Sequence, residues 1–489
     1  MDSERDWGIS SPQAWHFRRP GAFAITGAAL LLLIVGFSLF PPDRVLVALA
    51  SLVVGLWVLI ALIVAPIGFL ASTMGLYGSM QAFLQEQDVI AFGSFEVNAS
   101  KLFVVMVTSL LVFRLLVEMA RFGRVPKPTA SIALSALLVV WAVQALLRTP
   151  SPSEGTAVVA RMAACSVAFF YTYAFTRSRH DFWLLCLGSS VTTIVASGIA
   201  LVEVVRGRSS ELVAIGEFRG AGGFGGAVAT GTVAFFGMAL AAAILQSFRL
   251  SRNGRLLATI TVGAGAIGIV TTFTRTAIVG TIFFLALLLV TSRGGLKGLN
   301  IVRRLVVAAL VLAAIGVSFR FVSTETMQAR MSDLPGQGGN VTLQAESGSG
   351  RGRIWSNLVR LQSQSSLQEW IVGHGMLAVP VDLLRVMGIR VDGHNSILDI
   401  LYDTGIVGLA IYLALALALF RELRMRAPYT DEVSGFTAIW WCYIVAYFMS
   451  TEMFNGFVYG VGARWYSLII TGATLALLAR SGRERTAAP

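Results

Sequence analysis

Two histidines and a scattered set of arginines are the residues of this 489-residue chain with clear chemical potential. The chain holds four histidines. His16, in a polar N-terminal stretch, and His180, in a short basic loop, read as solvated or interfacial. His374 and His394 lie in, or at the end of, one long polar stretch, so they share a side of the molecule. Imidazole is the side chain whose ordinary pKa, about 6.5, lets it exchange protons near neutral pH. His394 precedes Asn395 and Ser396, either of which can N-cap the apolar run that follows. The positive end of that helix holds a nearby imidazole neutral and attracts anions. A neutral imidazole there can accept a proton from a hydroxyl. The arginines fall in three polar segments. Arg206, Arg208 and Arg219 share one. Arg275 stands alone in the turn Thr271–Thr276. Arg351, Arg353, Arg360, Arg385 and Arg390 share the longest. Arg360 and Arg385 read as solvated surface. Arg275 has so little polar sequence around it that its charge must sit at an apolar interface, where charges are costly and usually functional. Guanidinium forks match phosphate oxygens in pairs. The set points to capture of a phosphate or pyrophosphate group beside a base, with Arg219, Arg351, Arg353, His374 and Asn395 as binding candidates around His394 and Arg275.

No metal and no cofactor is expected. The acidic residues of the long stretch form no DxD motif, and no histidine pair has ligand spacing. The three cysteines, Cys165, Cys186 and Cys442, lie in apolar runs. Neither a Walker A loop nor a dinucleotide fingerprint occurs, which argues against nucleotide-driven chemistry.

The elements that must position these groups follow from composition. Hydrophobic residues make up 56% of the chain and charged residues 13%, against roughly 25% charged in a soluble domain. A soluble globular enzyme, a disordered chain and a disulfide scaffold are thereby excluded. The pattern predicts an all-α polytopic membrane protein with about 12–14 transmembrane helices of roughly 20 apolar residues each. The expected spans are 21–40 (a retained helix rather than a cleaved leader), 45–67, 101–122, 130–147, 156–175, 182–205, 223–246, 256–273, 276–290, 305–321, 395–420, 437–449 and 457–479. A further short span near 66–84, or a re-entrant hairpin marked by Pro41-Pro42, would reconcile the parity of the first part. The net charge of +12 sits mainly in basic clusters, one per helical hairpin. It therefore reads as an orientation signal that keeps those loops and both termini cytoplasmic, not as a nucleic-acid surface. The intervening loops then face outward. The longest is Val322–Gly393, where Ile354, Leu358 and Leu361 recur at helical spacing and predict an amphipathic surface helix over 353–364. The chain divides into a transmembrane region 1–321, the outer loop 322–393 and C-terminal helices 394–489.

Four short segments carry a family resemblance. These are Gly352-Arg353-Ile354-Trp355, Gly373-His374-Gly375, His394-Asn395-Ser396 running to Gly405 and Gly408, and the Thr274-Arg275-Thr276 turn. Together they resemble the O-antigen ligase and polymerase superfamily of bacterial membrane glycosyltransferases, over a core of about 206–412. The resemblance implies transfer of a glycan from an undecaprenyl-pyrophosphate carrier to an acceptor hydroxyl, on the periplasmic side of the inner membrane. It also implies His394 as the base, and Arg275, Arg219 and Arg353 as pyrophosphate ligands. Many members follow the arginine matched by Arg219 with Gly and then Pro-Asn; here the sequence reads Gly220-Ala221-Gly222-Gly223. The expected chemistry is metal-independent displacement with inversion. A ligase acting on lipid A-core is preferred. A polymerase extending a growing O-antigen or exopolysaccharide chain is the near alternative. A polysaccharide transporter or lipid flippase is the rival from another class, because it too needs many helices and arginines; it would place its ionisable groups near the bilayer midplane.

Overall fold

The computed structural model describes residues 65–84, 90–92, 95–97, 99–122, 126–206, 211–212, 218–219, 226–272, 274–291, 351–388, 390–425, 432–453 and 461–486. Its helices are α1 (Pro66–Leu84), α2 (Ala99–Phe122), α3 (Ala130–Leu146), α4 (Pro152–Phe175), α5 (Arg179–Arg206), α6 (Ala227–Ser247), α7 (Arg252–Thr271), α8 (Arg275–Thr291), α9 (Arg351–Ser363), α10 (Leu367–Val372), α11 (Ala378–Met387), α12 (Ser396–Met425), α13 (Glu432–Tyr447) and α14 (Val461–Thr486). A π-helical turn, Phe448–Glu452, extends α13. Two short antiparallel hairpins, Ile90–Phe92 with Phe95–Val97 and Glu211–Leu212 with Phe218–Arg219, decorate the helical body. The expected spans at 21–40, at 305–321 and at 45–67 up to residue 64 lie outside the described residues, as do Arg208 and the Gly-rich stretch 336–350.

The chain is an all-α polytopic membrane protein. Among the described residues, six helices are long and apolar enough to cross a membrane, and two shorter apolar helices accompany them. Their exposed faces carry Val140, Ile260 and Ile282, as expected where lipid rather than water is the neighbour. α6 is the centre: Val233, Phe235, Phe236, Met238 and Leu240 are all fully buried. It packs on α7, α5, α13 and α8. Small residues allow close approach there; a Cβ on Gly265 of α7 would stand 2.7 Å from the Ala234 carbonyl of α6. α4 packs on α14, and α3 on α12.

The two ends of the bundle differ. At one end Arg177 reaches Glu118, which also pairs with Arg114 one turn before it. There Arg179 pairs with Glu432 at 3.0 Å, and Arg480 donates to the Arg177 carbonyl. Arg177, Arg179 and Arg480 come from the basic stretches that charge bias assigns to one side of the membrane. The opposite end carries α9, α10, α11 and the first turns of α8 and α12.

Among the described residues of the long polar stretch, 351–388 and 390–393, there are three helices where one was expected. α9 matches the expected amphipathic segment: Ile354 and Leu358 are buried against Ala378, Val379, Leu383 and Tyr402, and Leu361 is partly buried with them. α10 and α11 escape a periodicity reading because each is short. The expected span 395–420 is one of the six candidate spans, and it contains a break that was not expected. Gly405 has φ 72 and ψ −175, which breaks α12 into an outer segment and an apolar one.

Candidate functional site

The break at Gly405 builds the framework of the site. It deprives three consecutive carbonyls of their helical partners, and each finds another. Tyr402 O accepts from His374 N, Asp403 O from Gly375 N, and Thr404 O from Trp141 Nε1. The backbones cross so closely that a Cβ on Gly373 would lie 2.3 Å from the Asp403 carbonyl. The Asp403 carboxylate then receives Leu377 N at 2.9 Å and Val379 N at 3.2 Å, capping α11 from outside its own chain segment. Arg148, at the end of α3, donates to the carbonyls of Val372 and Gly373. Arg390 forms an ion pair with Glu154 of α4. The outer helices are therefore bolted to α3, α4 and α12.

His394 sits at the mouth of this framework. Asn395 is the N-cap of α12, with Oδ1 accepting from Ile397 N and Leu398 N. Gly393 is held on both sides. Its carbonyl accepts from Trp355 Nε1 at 2.9 Å, and its N–H donates to Asp399 Oδ1 at 2.9 Å. Between these anchors His394 adopts φ 49, a left-handed conformation costing a non-glycine residue roughly 1–2 kcal/mol. Such strain persists only where the surroundings impose it. The imidazole Nδ1 lies 3.2 Å from Asp392 Oδ1. Among the described residues Nε2 has no partner, and the side chain remains 36% exposed. Asp392 is 7% exposed, and its second oxygen has no hydrogen-bond partner among the described residues.

Electrostatics agree with this arrangement. Burial lowers the His394 pKa below the ordinary imidazole value; Asp392 opposes that shift, and Arg351 reinforces it. The imidazole is thus neutral at neutral pH. The direction matches the sequence expectation, but the cause is burial rather than the helix dipole. Asp392 keeps the proton on Nδ1, leaving the Nε2 lone pair able to accept one. Arg351 is itself shifted down, first by burial and then by the nearby Arg275. Arg351 and Arg275 thus add positive charge beside the half-buried imidazole, and guanidinium groups are suited to phosphate oxygens.

The structure thus brings Arg275, Arg351, Asp392 and His394 together. Asp392 and Arg351 link the group, and Asp392 was missed in the sequence. Its signal was the spacing Asp392-Gly393-His394, which lets a carboxylate curl back onto the ring. Arg353, two residues further along α9, is exposed. Arg219 lies in the short hairpin, paired in register with Glu211. His374 is walled in. Its ring stacks on Tyr402 with centroids 4.1 Å apart, and Glu369 faces Nδ1 at 3.6 Å. Ser365 Oγ, which also donates to Leu361 O, lies 2.8 Å from His374 Nε2, so that nitrogen is occupied. Among the described residues, no three His, Cys, Asp or Glu side chains converge to hold a metal ion. A small hollow behind the Asp392 carboxylate is lined by Met162, Met376, Val379 and Ile400.

Residues 260–413 match the sequence model of a protein family described as O-antigen ligase. The matched segment contains Arg275, Arg351, Arg353, His374, Asp392, His394 and Asn395, and it ends before α13. A search of the curated proteins finds no match.

Proposed function

Residues 260–413 carry a domain of the O-antigen ligase superfamily, and from that premise we propose that the protein transfers a glycan from a polyprenyl-pyrophosphate carrier, undecaprenyl pyrophosphate, to an acceptor hydroxyl. The reaction takes place at the end of the bundle that bears His394, which faces the periplasm across the inner membrane. The observation that carries this reading is the Arg275–Arg351 pair beside the Asp392–His394 pair. His394 Nε2 takes the acceptor proton, and the hydroxyl oxygen attacks the anomeric carbon. The carbon–oxygen bond to the carrier breaks on the opposite face, so configuration inverts. Arg275 and Arg351 balance the charge that gathers on the departing pyrophosphate. A sugar pyrophosphate is already a good leaving group, so no metal is needed in this scheme. Arg353 extends the anion surface toward the carrier headgroup, Arg219 is a further candidate ligand of that headgroup, and Asn395 and His374 shape the turn.

Ligase action on lipid A-core is the preferred form. Polymerisation of repeat units on the same carrier differs in product: a ladder of chain lengths rather than a single transfer. The test is transfer by the purified protein in EDTA, with His394→Ala and Arg275→Ala in parallel. Full activity in EDTA, with loss in both variants, is expected. A His394→Ala protein as active as wild type would remove the base from the scheme, and abolition by EDTA would remove its metal independence.

A further inference from the structure

One charged pair lies outside this chemistry. Glu452, at the end of the π-helical turn, is 3% exposed. Arg464, in the first turns of α14, forks onto it: Nε and one terminal nitrogen reach Oε1 at 3.0 and 2.7 Å, and that nitrogen reaches Oε2 at 2.7 Å. Ionisable groups buried in an apolar bundle are costly, and such a pair is weak evidence of stabilisation in itself. What Glu452 also holds is informative. Tyr412 Oη donates to Oε2 at 2.7 Å. The Ser396 hydroxyl and the Tyr447 hydroxyl also donate to the same carboxylate. Ser396 and Tyr412 lie on opposite sides of the Gly405 break. In a straight helix they would be about 24 Å apart. Meeting at one carboxylate, they require the outer segment of α12 to fold back over the apolar one.

Resting on the transferase reading, we propose that the Glu452–Arg464 pair is a clamp that fixes the bend in α12 and thereby positions His394 for proton transfer. Ser396 is fully buried and stands two residues from His394, next to the N-cap Asn395. Arg464 forks onto Glu452 and fixes its orientation, so the carboxylate can accept from both segments at once. The π-helical turn adds a residue to the end of α13, which turns Glu452 inward. Glu452 and Arg464 are positioning residues, since they act through Ser396 and the α12 N-terminus rather than on substrate.

The test uses the full chain in nanodiscs with a synthetic undecaprenyl-pyrophosphate glycan donor and an acceptor glycolipid. Ser396→Ala and Tyr412→Phe each cut one arm of the clamp and leave the ion pair intact. For both, kcat is expected to fall roughly 10- to 100-fold, as for a misplaced catalytic group. Donor KM should change less than about twofold, because uniform binding is untouched. The acidic limb of the pH profile should rise toward the ordinary imidazole value as His394 loosens from Arg351 and its buried setting. Glu452→Gln should lower kcat further; if it fails to fold, the two milder variants still decide. A folded Ser396→Ala, Tyr412→Phe double variant with wild-type kcat and an unmoved acidic limb overturns the clamp while leaving the transferase reading standing. A wild-type protein without transfer activity overturns both.

Discussion

Gly393-His394 and Gly373-His374-Gly375 are similar turns on the same end of the molecule, and each offers an imidazole at the edge of a helix. Around His374 the protein uses the whole ring: Tyr402 covers one face, Ser365 Oγ hydrogen-bonds Nε2, and Glu369 faces Nδ1. Around His394 it uses only Nδ1, through Asp392, and leaves Nε2 open beside Arg351 and Arg275. Burial lowers both pKa values. Proton affinity therefore does not separate the two histidines. What separates them is which nitrogen remains available, and that depends on neighbours supplied by other segments.

That contrast can be broken most directly by substitution. His394→Ala should cost roughly 10²- to 10⁴-fold in kcat, the usual worth of a positioned base. His374→Ala should leave kcat within about tenfold and instead lower stability by about 1–3 kcal/mol, since it removes a buried hydrogen bond and a ring stack. Paired transfer assays and thermal unfolding measure both; equal kinetic losses would erase the distinction. Next in size, Arg351→Met and Arg275→Ala should each lower kcat/KM by roughly 10²-fold, and Arg275→Lys should recover little because a single ammonium cannot fork onto a phosphate.

The pH profile sharpens the comparison with smaller effects. The folded His394 resists protonation, so kcat/KM should hold level as pH falls past about 6.5 and decline only below it. Asp392 raises the His394 pKa and Arg351 lowers it. Asp392→Asn should therefore move the acidic limb further down, with a slower rate because the Nδ1 proton loses its acceptor. Arg351→Met should move the limb up. Limbs shifting in the same direction would contradict the assigned neighbours.

The smallest effects concern the glycines that hold the two turns apart. Gly405 and Gly388 share φ 72. A Cβ on Gly388 meets nothing within 4 Å, whereas one on Gly405 lies 2.4 Å from the Ile371 carbonyl. Gly388→Ala should cost about 1 kcal/mol, the left-handed penalty alone. Gly405→Ala should cost more and also impair transfer, because it pushes α12 off the His374 turn. Equal melting temperatures for the two variants would show that the crossing tolerates a methyl group.

Much of the body was legible in the chain. Ala130–Leu146, Arg179–Arg206 and Arg252–Thr271 fall within a few residues of their expected bounds, because long apolar runs between polar breaks have one low-energy solution in lipid. The surface helix α9 was legible from Ile354 and Leu358. His394 and Arg275 stood out because a histidine before a helix and an arginine in a tight apolar turn are costly there without a use. The break in α12 was hidden, since Asp403-Thr404-Gly405 can lie within a continuous helix and the apolar run resumes at Ile406; only the crossing with Gly373 reveals why Gly405 leaves the helix. Trp141 lies inside an expected span and Arg148 just past its end, and nothing local to either marks a partner in the outer stretch.

Composition and periodicity alone determined an all-helical chain in a membrane, with polar chemistry gathered on one side of it. Those properties depend on local sequence, because each apolar run must satisfy its own backbone hydrogen bonds. The tertiary structure alone decided that Asp392 would hold His394, that Arg351 rather than Arg353 would meet Arg275, and that Glu452 would join both halves of α12. Those outcomes turn on which side chains the packed backbone brings near one another, and on burial that only the packed bundle creates.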